Sequence, residues 1–159
     1  MRALTVRQPW AWAIMHGKDV ENRSRNIAGD YRGPVAITAA VADADNAPDG
    51  LWVDHANFYD RAHGPMFKGP KTERGVVLGV VDLVAVHHAS WNPMRPGLCY
   101  YLEPEGRYGE RCSPWAQPED WHLMLANPRP LPTPIPVRGR LGLWTLPDDV
   151  AAQVEEALR

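Results

Sequence analysis

Cysteine is scarce: Cys99 and Cys112 are the only two in 159 residues, with twelve residues between them and no CxxC arrangement. Disulfide scaffolds of small secreted domains are far denser than this. Long hydrophobic runs are missing as well. The N-terminal MRALTVRQPW holds no apolar run of signal-peptide length, and nothing approaches the roughly 20 apolar residues that a membrane span requires. These absences predict a cytoplasmic protein with reduced thiols and no membrane contact. An excess of charge of one sign is also lacking, since 17 Lys+Arg face 19 Asp+Glu for a formal net charge of -2. The total therefore gives no hint of a polyanionic partner. No Gly-rich phosphate loop, GxSxG elbow or HExxH motif occurs. The six histidines and two cysteines show no HxxxH or CxxC spacing, and the adjacent His87 and His88 point to opposite faces of a strand. No metal and no cofactor is expected on these patterns, and His88 and His122 read as partly buried, hydrogen-bonded side chains.

What is present is an ordinary foldable composition, 45% hydrophobic and 23% charged, in one domain's length of chain, residues 1–159. Proline is abundant: 16 residues, about twice the usual share of roughly 5%. Ala3 to Val6 reads as a strand, Pro9 opens a short helix stopped by Gly17, and Asp19 to Arg23 reads as a second strand. Val35 to Ala40 is a buried-looking strand, and residues 49–61 space Trp52, His55, Phe58 and Tyr59 as on a helix. The valine-rich run from Gly75 to His88 is the strongest strand signal, with interior glycines that mark a bend or a close backbone approach. Tyr100 to Leu102 and Trp121 to Ala126 are further strand candidates. From Pro128 to Pro136 proline takes every second position, which places that segment at an edge or on the surface. Leu141 to Thr145 alternates as a last strand, and a C-terminal helix covers about residues 148–158 with Val150, Val154 and Leu158 on one face. The pattern is that of an α+β domain built on a small, mostly antiparallel β-barrel with flanking helices.

The charge is unevenly spread. Residues 1–34 carry a net +3, residues 41–60 hold five Asp and no base, and residues 61–81 return to +3. Arg129, Arg138 and Arg140 lie in a stretch, 128–145, that has no acid. Basic segments that meet in space form a phosphate-binding surface. The richest run is Gly17-Lys18-Asp19-Val20-Glu21-Asn22-Arg23-Ser24. On a strand Glu21 and Arg23 share a face, with Lys18 in the turn before them. Arg supplies a planar fork of donors, Lys a mobile cation and Glu a base or fixed acceptor, a set able to line a polar pocket. A surface ion pair between Glu21 and Arg23 is the plainer alternative.

Five segments in order, RQPWAWAI, GKDVENRS, YRGPVAI, GVVLGVVDLV and NPRPLPTPIPVRGRLGLWTLP, resemble the ASCH domain family of the PUA-like superfamily, over residues 2–147. Lys18, Glu21 and Arg23 match the G-x-K-x-x-E-x-R motif, except that the glycine stands directly before the lysine. The resemblance implies a small PUA-like barrel with a cleft where the motif meets the first helix. It implies RNA, other nucleic acid or a modified nucleobase as ligand. Gln8, Trp10, Lys18, Glu21, Arg23, Arg32, Arg129, Arg138 and Arg140 are the expected binding residues. Some relatives instead hydrolyse acetylated cytidine with a lysine, a threonine and a glutamate. In that alternative, an amidohydrolase on N-acylated cytidine-type nucleosides, Lys18 and Glu21 would be catalytic, but Glu21 stands where the threonine would be. Ribonuclease activity, implied by other relatives, has no separate motif in this chain. Of the seven tryptophans, Trp10 or Trp12 is expected as a stacking platform for bases. Trp52, Trp115, Trp121 and Trp144 are expected in the core, and Trp91 has no assignment.

Overall fold

The computed structural model describes residues 1–52, 54, 73–88, 99 and 112–159. Within them six strands form one sheet: β1 (Arg2–Gln8), β2 (Val20–Arg23), β3 (Gly33–Asp43), β4 (Val76–His88), β5 (Trp121–Pro136) and β6 (Leu143–Thr145). Helices α1 (Trp10–Met15) and α2 (Asp148–Ala157) accompany it. The strand order is β2-β5-β4-β3-β1-β6, with β1 and β3 parallel and the other pairings antiparallel. This α+β arrangement is mostly antiparallel, as expected, but the sheet is not closed into a barrel. The two edge strands β2 and β6 share no ladder. Instead the sheet curls until the Arg23 side chain on β2 reaches the Thr5 carbonyl on β1, at 3.1 Å. A side chain therefore spans the gap that a backbone ladder would close in a barrel, and that gap becomes the cleft.

Successive residues of a strand face opposite ways, and the sheet is apolar on both sides. Leu4, Val6, Val35, Ile37 and Leu83 pack on the α1 side. Ala3, Ala36, Val80 and Trp144 pack on the other, beneath Val150, Ala151 and Val154 of α2. Burying each such Leu or Ile side chain contributes about 1.5–3 kcal/mol. Asp148 and Asp149 stand in the first turn of α2, where they oppose the positive end of the helix dipole. The helix begins and ends close to its expected bounds.

Two glycines decide local geometry. Gly17 has φ +115°, a conformation that side chains rarely adopt, and turns the chain sharply from α1 into Lys18. At Gly79 an added Cβ would lie 2.5 Å from both the Arg129 carbonyl oxygen and Met15 Sδ, so β4, β5 and α1 meet there more closely than any side chain permits. Strand β5 unites the apolar run after Trp121 with the proline segment. Residues 121–124 pair with β2, whereas the stretch from Pro130 to Pro136 pairs with β4 on one side only. Strand hydrogen-bonding groups point to alternate edges, so a period of two lets the prolines place their missing donors on the open side.

Residues 49–52 are helical, as the spacing predicts. Asp54 is helical too; the other residues of the expected span 49–61, the strand candidate Tyr100–Leu102 and Trp91 lie outside the described residues. Among the described residues no helix is long and apolar enough to cross a membrane.

Candidate functional site

Strand β2 and the turn before it place Lys18, Glu21 and Arg23 together. Lys18 is 4% exposed and Glu21 7%. Lys18 Nζ donates to Glu21 Oε2 at 2.7 Å and to the Val20 carbonyl. Arg23 approaches the other carboxylate oxygen, Oε1, at 3.0 Å. One carboxylate is thus bracketed by two cations, which excludes the plain surface pair and leaves a net positive charge at the spot. Arg23 Nε is buried and has no hydrogen-bond partner among the described residues.

These three side chains line a cleft of about 1020 Å³. Its aromatic wall is Trp10 with Trp115, edge to face, ring centroids 6.3 Å apart and planes at 89°. Lys18 Nζ lies 5.6 Å from the Trp10 ring centroid, within cation–π reach. Trp115 rides on the segment from Cys112 to Asp120, which is tied to the motif strand by Asn22. The Asn22 amide donates to the Trp115 carbonyl at 2.9 Å and its Oδ1 accepts from Gln117 N at 3.0 Å. Asp19 fastens the same segment by accepting from the Ser113 hydroxyl at 2.5 Å. The exposed Arg138 and Arg140 reach the cleft from the β5–β6 connection, where Arg140 N donates to Thr5 Oγ1 at 3.1 Å. The lining holds the bases Arg7, Lys18, Arg23, Arg138 and Arg140 against the acids Glu21, Asp45 and Asp120. A chain of net charge -2 therefore presents a basic cleft.

The structure brings together Trp10, Lys18, Glu21, Arg23, Arg138 and Arg140, and leaves three expected residues outside the cleft lining. Gln8 is fully buried, donating to the Glu73 carbonyl and accepting from Trp12 N, so it holds the start of α1 in place. Arg32 is exposed and folds back onto the carbonyls of Gly29 and Tyr31. Arg129 pairs with Asp82 at 2.5 Å on the far run of β5. Trp115, expected in the core, is instead half-buried and lines the cleft. Trp144 is buried, with its indole N–H donating to Thr5 Oγ1. Trp52 and Trp121 are half-buried, and His88 is exposed with its ring against Trp121.

A second cluster lies just behind the cleft wall. His87 and His122 are register partners on β4 and β5, their rings edge to face with centroids 5.2 Å apart. Cys99 Sγ and Cys112 Sγ approach His122 Nδ1 at 3.2 and 3.3 Å. One potential metal-donor atom from each of the four lies within 4.8 Å of the others. Sequence spacing gave no sign of this group, because its members come from two strands and two separate positions between them. Burial, and then His122, pulls the His87 imidazole down to about 4. Burial also lowers His122, and burial followed by the Cys99 contact pushes the Cys112 thiol up to about 12. Both cysteines are free of disulfides.

No family model matches the sequence, and no curated protein matches it. Among solved structures, a single-substitution mutant of the ASCH protein from Zymomonas mobilis aligns over 98% of this chain and 96% of its own, with a TM-score of 0.52 and 16% identity. The unsubstituted ASCH protein from the same organism aligns over 98% and 93%, with a TM-score of 0.49 and 14% identity. At such identity the likeness speaks for the backbone, and on the first of these comparisons the chain has an ASCH-type fold.

Proposed function

We propose that the protein binds single-stranded RNA, with a base stacked on the Trp10–Trp115 wall and its polar edge facing Glu21 and Arg23. Backbone phosphates then lie against Arg138 and Arg140. The observation that carries this reading is the joining of a cationic floor and an aromatic wall in one open cleft. Stacking is worth about 1–3 kcal/mol per base and needs no sequence readout. The floor supplies the complement: Arg23 donates, Glu21 accepts, and the surplus positive charge favours an anionic strand. At about 1020 Å³ the cleft matches the upper end of the roughly 300–1,000 Å³ range of small-molecule pockets, which is room for more than a lone base.

The hydrolase alternative needs a free nucleophile. The hydroxyl oxygen of Thr5, which lines the cleft, is already approached by Thr38 Oγ1 at 3.0 Å and by Arg140 N and Trp144 Nε1 at 3.1 Å. Lys18 Nζ is likewise engaged by Glu21 and the Val20 carbonyl. We therefore favour binding over acyl hydrolysis.

Fluorescence anisotropy with a labelled single-stranded RNA, repeated across salt concentrations, tests the reading. Affinity should fall with salt at a log–log slope of about -0.7 per phosphate contact. Salt-independent binding, or none at low salt, contradicts it. Release of acetate from acetylated cytidine that vanishes in Lys18→Ala would favour the hydrolase instead.

A further inference from the structure

We propose that His87, Cys99, Cys112 and His122 form a structural zinc site that anchors the cleft wall. The inference stands on geometry independent of the RNA reading.

Four donors of the right kind converge on one point, with one donor atom of each within 4.8 Å of the rest. Zn–S bonds of about 2.3 Å and Zn–N bonds of about 2.0–2.1 Å in a tetrahedron put neighbouring donor atoms roughly 3.3–3.8 Å apart. The two sulfur-to-Nδ1 separations at His122, 3.2 and 3.3 Å, lie within a few tenths of an ångström of the sulfur–nitrogen edge of such a tetrahedron, about 3.5 Å.

The tautomer of His122 is fixed by its surroundings. Its Nε2 lies 2.7 Å from the Gln117 carbonyl, and a carbonyl only accepts, so Nε2 carries the proton. In the neutral ring Nδ1 then presents a lone pair to both sulfurs, as a ligand does. A ring N–H held by a backbone carbonyl is the usual outer support of a zinc-bound histidine. His87 is held on the same face of the sheet by its register with His122.

Charge agrees with burial. Cys99 and His122 are buried, and His87 and Cys112 half-buried. Zinc(II) displaces one proton from each thiol, giving two thiolates, two neutral imidazoles and one dication, a centre of zero net charge that suits a water-poor interior. With four protein ligands no position stays open for water, so the site is structural and not catalytic.

Its place explains its use. Cys112 begins the segment that carries Trp115, and the Gln117 residue that supports His122 also donates its backbone N–H to Asn22 of the motif strand. Metal bound at His122 thereby fixes the loop that walls the cleft.

The test is metal content with coordination. The 159-residue chain, produced with zinc and purified under reducing conditions without chelator, should hold one zinc per chain by elemental analysis. X-ray absorption at the zinc edge should show two sulfur and two nitrogen neighbours at about 2.3 and 2.0–2.1 Å. Chelation should lower the thermal midpoint, and added Zn²⁺ should restore it. Cys112→Ser, at the half-buried ligand, should lose most of the zinc while circular dichroism stays native-like. His122→Gln serves as a second variant, and should also lose zinc. Failure of the reduced, chelator-treated wild-type protein to take up Zn²⁺ would overturn the proposal. So would bound zinc with no sulfur neighbour, or full occupancy in both variants.

Discussion

Lys18, Glu21 and Arg23 lie within a run of six residues, whereas His87, Cys99, Cys112 and His122 are drawn from a stretch of 36. Both groups nevertheless stand against β2 and the beginning of β5, on either side of the Cys112–Asp120 segment. The first is charged, opens to the cleft and leaves a buried donor unmet among the described residues; the second aims its potential metal donors at one another. A local cluster takes its geometry from strand alternation and one glycine turn. The dispersed cluster exists only because two strands pair in register and a loop folds across them. Asn22 and Gln117 join the two, since Asn22 belongs to the motif strand and Gln117 supports His122.

The largest expected effect separates the clusters by stability. Glu21→Ala strands Lys18 and Arg23 beside each other without their carboxylate, and removing one partner of a buried ion pair costs about 3–5 kcal/mol. Urea denaturation should show that loss with the zinc content unchanged. A smaller effect should follow at the joint between the clusters. Asn22→Ala removes two hydrogen bonds that hold the Trp115 segment, one part-buried and one exposed, each worth about 0.5–1.5 kcal/mol. RNA affinity should drop with it, and unchanged affinity would show that the cleft wall does not depend on this tie.

Trp115→Ala should weaken RNA binding about 5- to 150-fold, the equivalent of about 1–3 kcal/mol of stacking. Denaturation should report little change, because this ring is half-exposed. The gentlest break compares arginines. Replacing both Arg138 and Arg140 by Ala should shrink the salt slope by about 1.4, two phosphate contacts on a single strand. The pair Arg32→Ala with Arg129→Ala should leave the slope unaltered, since neither lines the cleft.

The same contrast accounts for what the sequence made legible. β1, β3, β4 and α2 follow from periodicity, and the floor of the cleft follows from the spacing of Lys18, Glu21 and Arg23, all of which are short-range patterns. Barrel closure was not legible, because it depends on whether β2 and β6 meet, and a side chain from Arg23 to Thr5 stands in the gap. Arg129 lies only nine and eleven residues from Arg138 and Arg140 in the chain, yet the strand and turn between them leave it beside Asp82 on another part of the sheet. Trp115 and the Cys/His cluster were beyond reach for a related reason: a loop's aim is set by contacts with distant residues such as Asn22, not by its own periodicity.

Binding in the cleft requires that RNA touch the protein at the Trp10–Trp115 wall. Photo-crosslinking of a thiouridine-containing single-stranded RNA, with residue-level mapping of adducts by mass spectrometry, measures this. The expected result is adducts at Trp10 and Trp115, lost when competitor RNA or high salt is added. Adducts confined to the surface around Arg32 or Arg129, with the two tryptophans unmodified, would contradict it.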